Sequence, residues 1–423
     1  MTIVITSDEE LVNLGTCLDD FCSLFAASIS KTKTTIMGLG EWKGRVSWPL
    51  TWLSSSAELK LNGIHFTPLI QQTAEKNWEL INSQILGILR KHVTRSMTIS
   101  QRNRFIKAFC LSKAIYVAKV LACPITVANK ILSETQRFLW YGQLERPKRG
   151  VSYEERIKGG INFRNPSLFF KSLVAKTFLD DLYGEKSPGK ELMEYWTFWR
   201  LKELKLPTSP WTNSVKSDYS PPSHIDELLT AISELTAENV INPRAKTCHK
   251  KIYSYWIQPK KQRSKLESLL PDMNWRQIWR NAANLPPKLN QTMFLLNHRL
   301  LSTHIRKKRI DPKTNENCPT CNQGRETEIH VFVNCPRRTK VVRWLRKELR
   351  KLGSSTKLHK AIRGDFGPAA EGRKAMLLVS VAVDLIWRGR GEGWTPTADR
   401  IKYDWKKEIE RQQSKHNCNP NLK

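Results

Sequence analysis

Acidic residues and long apolar runs are scarce in this sequence, and each scarcity excludes a class of protein. Asp and Glu number 39 against 70 Lys and Arg, a formal net charge of +31 over 423 residues. No apolar run approaches the roughly 18 residues that span a membrane, and Asp8, Glu9 and Glu10 stand where a secretory signal has basic residues. We therefore expect an intracellular protein, in nucleus and cytoplasm, without a membrane partner.

Cysteine is also sparse. Nine cysteines, an odd number, are scattered along the chain, which argues against a disulfide framework and for reduced thiols. Cys17, Cys22, Cys110 and Cys123 lie on segments with helical patterns, where small core residues are expected. Cys248-His249 is an isolated pair and a much weaker metal-site signal than a cluster.

The excess of positive charge predicts a polyanionic partner. Charge of this size repels itself in a folded chain, and a nucleic acid would neutralise it. We therefore expect RNA and DNA as partners; a basic protein without such a partner is the alternative. A hydrophobic content of 40% in 423 residues predicts two or three domains with their own cores, and we find no internal repeat.

The N-terminal 67 residues predict a small α+β segment. A β-branched strand at Thr2–Thr6 is followed by a helix from Ser7 to about Ala27, with Ser7 and Glu10 in capping-box register. Further strands are expected at Thr34–Leu39 and at Glu58–Phe66, the latter bent at its Asn-Gly pair.

The rest of the chain predicts helices, so the fold class is mainly α with a small α+β N-terminal part. One helix carries Trp78, Ile81, Ile85, Ile88 and Leu89 at helical spacing. A second has an apolar side, with Lys113 expected to snorkel from it. That side comprises Phe105, Phe109, Cys110, Ala114, Val117 and Leu121. Further helices are predicted at 128–141, 167–183, 225–236, 275–284, 289–306, 336–351, 369–388 and 398–413.

The second helix also carries a basic strip, formed by Arg104, Lys107 and Lys119. A basic strip opposite an apolar face suits contact with a phosphate backbone. A solvated charged face is an equally good interpretation for any one of these residues.

Three cysteines and a histidine form the strongest chemical motif. The sequence Cys318-Pro-Thr-Cys321 is followed by His330 and Cys335. Zinc takes four such ligands tetrahedrally, and the two-residue gap lets both thiolates of the first pair reach one ion. All four positions would be filled by the protein, which predicts structural and not catalytic Zn²⁺. Three unrelated thiols and a surface histidine are the alternative.

A basic helix follows this zinc knuckle at once. Its charges are expected to surround the helix, so that at least one face meets solvent or phosphate. Trp344 could stack on a base, or it could pack in the core with Val341, Leu345 and Leu349. The candidate nucleic-acid contacts are Arg337, Arg338, Lys340, Arg343, Arg346 and Lys347, besides Trp344. Arg306–Arg309 could serve as a nuclear-import signal or contact phosphate.

The knuckle and its flanking motifs resemble the zinc-binding domain at the end of LINE-type (non-LTR) retrotransposon reverse transcriptases. The motifs are Trp275–Trp279, Lys288, Phe294, His298–Thr303, Cys318–Cys321, Glu326–His330 and Cys335-Pro336. Upstream, Thr2–Gly40 is similar to the palm segment after the catalytic YxDD box, and Trp42–Arg45 through Leu59–Ile64 to the primer grip. Three segments are similar to the thumb: Asn77-Trp78, Arg95–Ser100 and Ile106–Tyr116. Phe138–Gly142 is similar to the helix that follows the thumb, and Lys158–Ile161 is similar to the turn after that helix.

The resemblance, together with the Pro- and Ser-rich composition of the linker and the helical pattern of the tail, predicts six segments along the chain. They are a palm and primer-grip remnant (1–67), a helical thumb (68–145), a helical connector (146–207), a linker (208–224), a helical segment with the knuckle (225–352) and a helical tail (353–423). The thumb would hold the template and primer duplex, with Arg95 among its contacts, and the knuckle would bind single strands.

The resemblance also implies what the chain is missing. The aspartates that hold two magnesium ions in the family would precede Met1, so no catalytic residue and no Mg²⁺ are expected. Asp19-Asp20 is an adjacent aspartate pair like that of the catalytic YxDD box, but it is expected in the middle of a helix and not in the tight hairpin of that box. Lys33 falls where the family places a lysine near the departing pyrophosphate. A palm-bearing polypeptide is a possible partner.

Three interpretations of the activity stay open. The chain could bind nucleic acid without copying it, it could be part of an RNA-directed DNA polymerase, or it could be a decayed or host-adopted fragment. A restriction-like endonuclease would need acidic residues on adjacent strands, whereas the tail with Asp365 and Asp384 has a helical pattern.

Overall fold

Helices dominate the structure, as the sequence predicts. A computed structural model of the protein describes residues 2–143, 147–184, 188–208, 221 and 223–417. In this part of the chain the helices from the N-terminus are α1 (Asp8–Phe25), α2 (Ile70–His92), α3 (Ile99–Phe105), α4 (Leu111–Val120), α5 (Ile125–Leu139), α6 (Arg149–Tyr153), α7 (Pro166–Tyr183), α8 (Pro188–Glu203) and α9 (Ser223–Ala237).

The remaining helices follow after residue 240. They are α10 (His249–Ile257), α11 (Lys265–Leu269), α12 (Trp275–Ala283), α13 (Pro287–Asn297), α14 (His304–Lys308), α15 (Thr339–Lys351), α16 (Leu358–Ala361), α17 (Gly372–Glu392) and α18 (Ala398–Asn417). None of the described helices is both long and apolar enough to cross a membrane.

The N-terminal segment contains little sheet. The strands are β1 (Thr35–Ile36), β2 (Ser54–Ser55), β3 (Leu59–Leu61) and β4 (Ile64–Phe66). β1 pairs with β2 in parallel, and β3 with β4 in an antiparallel hairpin. The hairpin turns at Asn62 and Gly63, both at positive φ, where the sequence predicts the bend.

The first residues correct the sequence-based prediction in one respect. Thr2–Thr6 is not a strand, because its β-branched residues have no described partner strand on which to form a ladder. The predicted cap is present: Ser7 Oγ accepts a hydrogen bond from the backbone amide of Glu10 at 3.1 Å. The carboxylate of Glu10 reaches back one residue further than expected and accepts from the amide of Thr6 at 2.6 Å.

A π-helical turn changes the face of the predicted second helix. Residues Ile106–Cys110 form this turn between α3 and α4. An inserted residue shifts the helical phase, so Phe109 is 57% exposed although the pattern predicts it on the apolar side. Lys113 is exposed for the same reason and does not snorkel from the core. Cys110, Ala114 and Val117 are buried as expected.

The chain forms two units that interleave in sequence. Unit 1 comprises Met1–Lys91, Phe109–Glu134 and Pro166–Tyr253, and unit 2 comprises His92–Ala108, Thr135–Asn165 and Ser254–Lys423. In unit 1, Trp78 packs on Phe170 of α7 with ring centroids 4.8 Å apart, and its indole donates to the carbonyl of Leu121. The six segments predicted along the chain stay a prediction.

The core of unit 2 brings α12, α13, α15, α17 and α18 together. α17 is buried along most of its length, from Ala375 to Ile386, and packs with the apolar faces of α13 and α15. Burial of these apolar side chains, at roughly 25 cal/mol per Å² of apolar surface, stabilises the unit. Residues beyond 352 therefore share one core with the knuckle.

Two other helix predictions differ from the structure. The segment 289–306 is not one helix, because α13 ends at Asn297 and Arg299 adopts a positive φ of 55° before α14 begins. Helices α6, α8, α10, α11 and α16 have no counterpart in the prediction. The predicted linker 208–224 falls largely on residues 209–220 and 222, which lie outside the described residues.

Candidate metal centre

A short hairpin positions the first two cysteines of the knuckle. Asn317 and Arg325 form an antiparallel bridge, and the amide of Cys318 donates to the carbonyl of Gly324 at 2.8 Å. The amide of Asn322 donates to the carbonyl of Cys318, also at 2.8 Å, and closes the turn. Both thiols of the CxxC sequence thus face one point from a tight loop.

The other two candidate ligands come from the next turn of the chain. His330 begins a π-helical turn, His330–Asn334, and Cys335 follows it. The four ligand atoms of Cys318, Cys321, His330 and Cys335 all lie within 4.8 Å of one another, and Cys321 Sγ is 3.3 Å from His330 Nε2. Tetrahedral zinc bonds of about 2.3 Å to sulfur and about 2.0 Å to nitrogen place such atoms about 3.5 to 3.8 Å apart.

The donor set therefore fits a zinc ion with all four positions filled by the protein. Cys318 and Cys335 are buried, and Cys321 and His330 are partly exposed. Such a site supplies folding energy and leaves no coordination position for a catalytic water.

Burial and local charges set the proton affinity of these ligands. Burial would raise the pKa of Cys318, but hydrogen bonds from the backbones and side chains of Cys321 and Thr320 outweigh it and lower that pKa. Burial raises the pKa of Cys335 to about 11. Burial and the nearby guanidinium of Arg338 lower the pKa of His330, which favours the neutral imidazole that zinc binds.

Arg338 supports the centre from inside and does not face a nucleic acid. Contrary to the sequence-based expectation, its side chain is 0% exposed. The guanidinium donates to the carbonyl of Val331 at 2.8 Å and to Thr320 Oγ1 at 2.9 Å. Burial lowers the pKa of Arg338, and the thiolate charges of Cys335 and Cys318 oppose that shift. A zinc ion with three thiolates and a neutral imidazole carries one negative charge, which Arg338 offsets.

A fully buried carboxylate fastens the knuckle to the core helix α17. Glu326 is 0% exposed and accepts two hydrogen bonds from Arg390, at 2.6 and 2.7 Å. The same carboxylate accepts from the backbone amide of His304 at 2.6 Å. Sequence reasoning missed Arg390, because 64 residues separate the partners and no local pattern connects them.

The comparison with protein families agrees with this geometry. The family model described as zinc-binding in reverse transcriptase matches residues 248–341. Over this segment the chain is similar to the zinc-binding region of reverse transcriptases. The match includes all four ligands, as well as Trp275–Trp279 and the segment that ends α13, and it supports a retrotransposon-derived, reverse-transcriptase-associated protein with a zinc site. It ends at Val341, near the start of α15.

The zinc-binding domain leads into α15, whose cations occupy one side. Val341, Val342, Leu345 and Leu349 are buried. The exposed cations opposite this face are Lys340, Arg343, Arg346, Lys347 and Arg350. The predicted charge all around the helix is therefore wrong, since the apolar residues share a face at helical spacing. Trp344 is half-buried against the core, which matches the interpretation as a packing residue.

The other predicted contacts lie at separate places. Arg337, Arg95 and Arg104 are exposed on unit 2, and Lys119 is exposed on unit 1. Lys107 is partly buried, and its Nζ donates to the carbonyl of Asn162. Burial, together with Arg164 and Arg156, lowers the pKa of Lys107 to about 8.

The residues considered for catalysis do not form a site in the described part of the chain. Asp19 and Asp20 are exposed in the middle of α1, as expected. A second adjacent pair, Asp180-Asp181, lies in α7 and is equally helical. Lys33 is exposed at the end of a 3₁₀ turn. Asp384 is buried in α17, where it accepts from Thr292 Oγ1 at 2.9 Å, and Asp365 accepts from the amide of Asn274.

Proposed function

We propose that this chain binds RNA and DNA, as the C-terminal part of a LINE-type reverse transcriptase. The ordered motifs from Thr2 to Pro336 support the LINE type, and the match to the zinc-binding family supports the relation to reverse transcriptases. In this proposal the knuckle and α15 bind single strands, and the thumb-like segment binds the template and primer duplex.

The basic face of α15 carries the proposal. Within the described residues, Lys340, Arg343, Arg346, Lys347 and Arg350 form no ion pair with any carboxylate. Five unpaired cations on one helical face repel one another, and phosphate oxygens relieve that repulsion while accepting charge-assisted hydrogen bonds. The apolar face of the same helix fixes it on the core, so the cations are held in place and directed outward.

The zinc ion would be held by Cys318, Cys321, His330 and Cys335, and it would supply folding energy only. Arg338 and Glu326 hold the ligand turns, so zinc binding fixes the segment that leads into α15. Copying of a template would need palm aspartates from a second polypeptide or from residues upstream, since both adjacent Asp pairs of the chain lie on helices.

Salt-dependent binding tests this proposal. The full chain is titrated against a 20-nucleotide single-stranded RNA, the same DNA and an RNA–DNA duplex at several salt concentrations. We expect log K to fall with log salt for all three probes, and Arg343→Gln with Arg350→Gln to weaken binding of the two single strands more than binding of the duplex. The matched control, Lys402→Gln with Lys406→Gln, removes two exposed cations of α18. Affinity without salt dependence, or an equal loss in the control, contradicts the proposal.

A further inference from the structure

A groove runs along the C-terminal half of α15 and is closed on its other side by the segment after that helix. Its volume is about 560 Å³. The polar groups that line it include Arg346, Arg350, Ser354, Ser355, Lys357 and His359. None of the described lining residues is acidic. These residues lie beyond residue 341, where the match to the zinc-binding family ends.

The second wall of the groove is fixed by backbone hydrogen bonds. Gly353, at φ +83°, ends α15, and the amide of Ser354 then donates to the carbonyl of Leu349 at 2.9 Å. The amide of Ser355 donates to the carbonyl of Phe366 at 3.1 Å. These bonds hold the groove open in one shape, so a ligand meets donors that need little reordering.

Three cations and one hydroxyl of the groove have no partner within the described residues. Arg346, Arg350 and Lys357 form no ion pair within the part of the chain that the structure describes. Ser354 Oγ is buried and has no hydrogen-bond partner there. A buried hydroxyl without a partner is destabilising, so a ligand in the groove that accepts its hydrogen bond is favoured.

Neighbouring carboxylates are engaged elsewhere. Glu348 pairs with Lys351 at 2.8 Å, and Asp272 pairs with Lys360 at 2.5 Å. Glu328 pairs with Arg363 at 2.7 Å. The cations of the groove are therefore not neutralised by the acids around them.

The groove continues into a second concavity along the helix. This concavity, of about 640 Å³, is lined by Arg343, Arg346, Lys347, Arg350 and Lys351. Arg346 and Arg350 line both. Arg343 and Arg350 are about 10 Å apart along the helix axis at 1.5 Å per residue, so a strand lying on α15 passes from one concavity into the other.

We propose that the groove between α15 and residues 354–359 is a phosphate subsite, which takes a phosphodiester group of a single strand bound along α15. Arg346, Arg350 and Lys357 supply the charge, and Ser354 Oγ donates a hydrogen bond to a phosphate oxygen. This inference rests on the proposed nucleic-acid binding.

Two single substitutions in the full chain test the subsite with a 12-nucleotide RNA. Lys357→Gln is expected to weaken binding several-fold and to lower the salt slope by about 0.7, as for one lost phosphate contact on a single strand. Ser354→Ala is expected to weaken binding while the stability of the free protein stays equal or rises, because the removed hydroxyl has no partner. A hydroxyl with a merely structural role would instead lower stability. Lys402→Gln serves as the matched control.

The outcomes separate this inference from the proposed function. If Lys357→Gln and Ser354→Ala bind like the wild type while Arg343→Gln binds less well, the subsite is refuted and the proposed function stands. If the wild type shows no salt-dependent RNA binding, both fail. A second experiment measures the thermal stability of the wild type and of Lys357→Gln in inorganic phosphate at constant ionic strength. Stabilisation of the wild type but not of Lys357→Gln, without RNA binding, assigns the groove to free phosphate and overturns the strand proposal.

Discussion

The imidazole Nε2 of His298 lies 2.8 Å from the carbonyl oxygen of Gly159, a residue 139 positions earlier in the chain. The indole ring of Trp279 stacks on the same imidazole, with centroids 5.2 Å apart and planes at 16°. The glycine turn Lys158–Ile161 and the end of α13 therefore form one packed element of unit 2. This element supports the core from which α15 extends.

Substitution of Gly159 by alanine should destabilise unit 2. Gly159 has a φ of +87°, and an added Cβ would lie 2.6 Å from the Trp279 ring. The strained backbone and the overlap together should cost about 2–3 kcal/mol. Urea unfolding measures the change, with Gly391→Ala as control, because a Cβ there meets no atom within 4 Å. Equal stability of the two variants would refute the packing of Gly159 on Trp279.

The stability of unit 2 should fall as the pH falls below about 6.5. Burial lowers the pKa of His298 to about 4, so the unfolded chain takes up a proton on this residue before the folded chain does. The stabilisation is fully present above the unfolded pKa of about 6.5 and is lost as the pH falls towards 4. Between pH 7 and pH 5 the loss should be about 2 kcal/mol.

The variant His298→Gln isolates this effect from the protonation of the zinc ligands. Glutamine does not titrate, and its side-chain amide can donate a hydrogen bond to the carbonyl of Gly159. Protonation of the zinc ligands occurs in both proteins, so it cancels when the two are compared. Urea unfolding at the two pH values should therefore show a smaller loss in the variant. An identical pH dependence in both proteins would show that His298 is not responsible.

Removal of the buried charge on Glu326 should destabilise the knuckle. Glu326→Gln leaves the guanidinium of Arg390, which is only 11% exposed, without its fully buried carboxylate partner, which should cost about 3 kcal/mol. Glu371→Gln is the control, since its ion pair with Lys374 is exposed and contributes below about 1 kcal/mol. The experiment compares protease resistance and urea unfolding; a similar cost in the two variants contradicts the buried pair.

Arg338 should affect zinc affinity, whereas its neighbour Arg337 should not. Arg338→Met removes the charge and the hydrogen bonds that hold the ligand turns, and zinc affinity should fall about 10-fold to 100-fold. Competition with a chromophoric chelator measures it. Arg337→Gln, at an exposed position, should bind zinc normally.

A second variant covers the case in which Arg338→Met does not fold. Arg338→Lys keeps the charge but loses the forked hydrogen bonds, so it should have intermediate zinc affinity. Normal affinity in a folded Arg338→Met protein would rule out a supporting role.

Local signals in the sequence predicted much of the fold. Helical periodicity placed α2, α5, α7, α12, α15, α17 and α18, and the Asn-Gly pair placed the β3–β4 hairpin. The spacing of the cysteines and His330 predicted the candidate ligands, and the structure brings their donor atoms together. These features depend on residues close to one another in the chain.

Long-range packing could not be predicted in this way. The π-helical turn that exposes Phe109 has no local signature, and only the fold shows which arginine is inside. Arg337 and Arg338 are adjacent and chemically alike, yet Arg338 is buried behind the thiols. The contacts of Glu326 with Arg390 and of His298 with Gly159 join distant segments, so no sequence window contains both partners.

Zinc removal and return tests the central claim, that a zinc-organised knuckle holds a nucleic-acid-binding helix. The purified full chain is predicted to contain one zinc ion. A chelator should remove it, increase protease cleavage between residues 316 and 338 and abolish salt-dependent RNA binding, and one equivalent of zinc should restore all three properties. The variant Cys335→Ser, which lacks one zinc ligand, should regain none of these three properties when zinc is added. A folded, zinc-free protein that binds RNA with undiminished affinity would contradict the account.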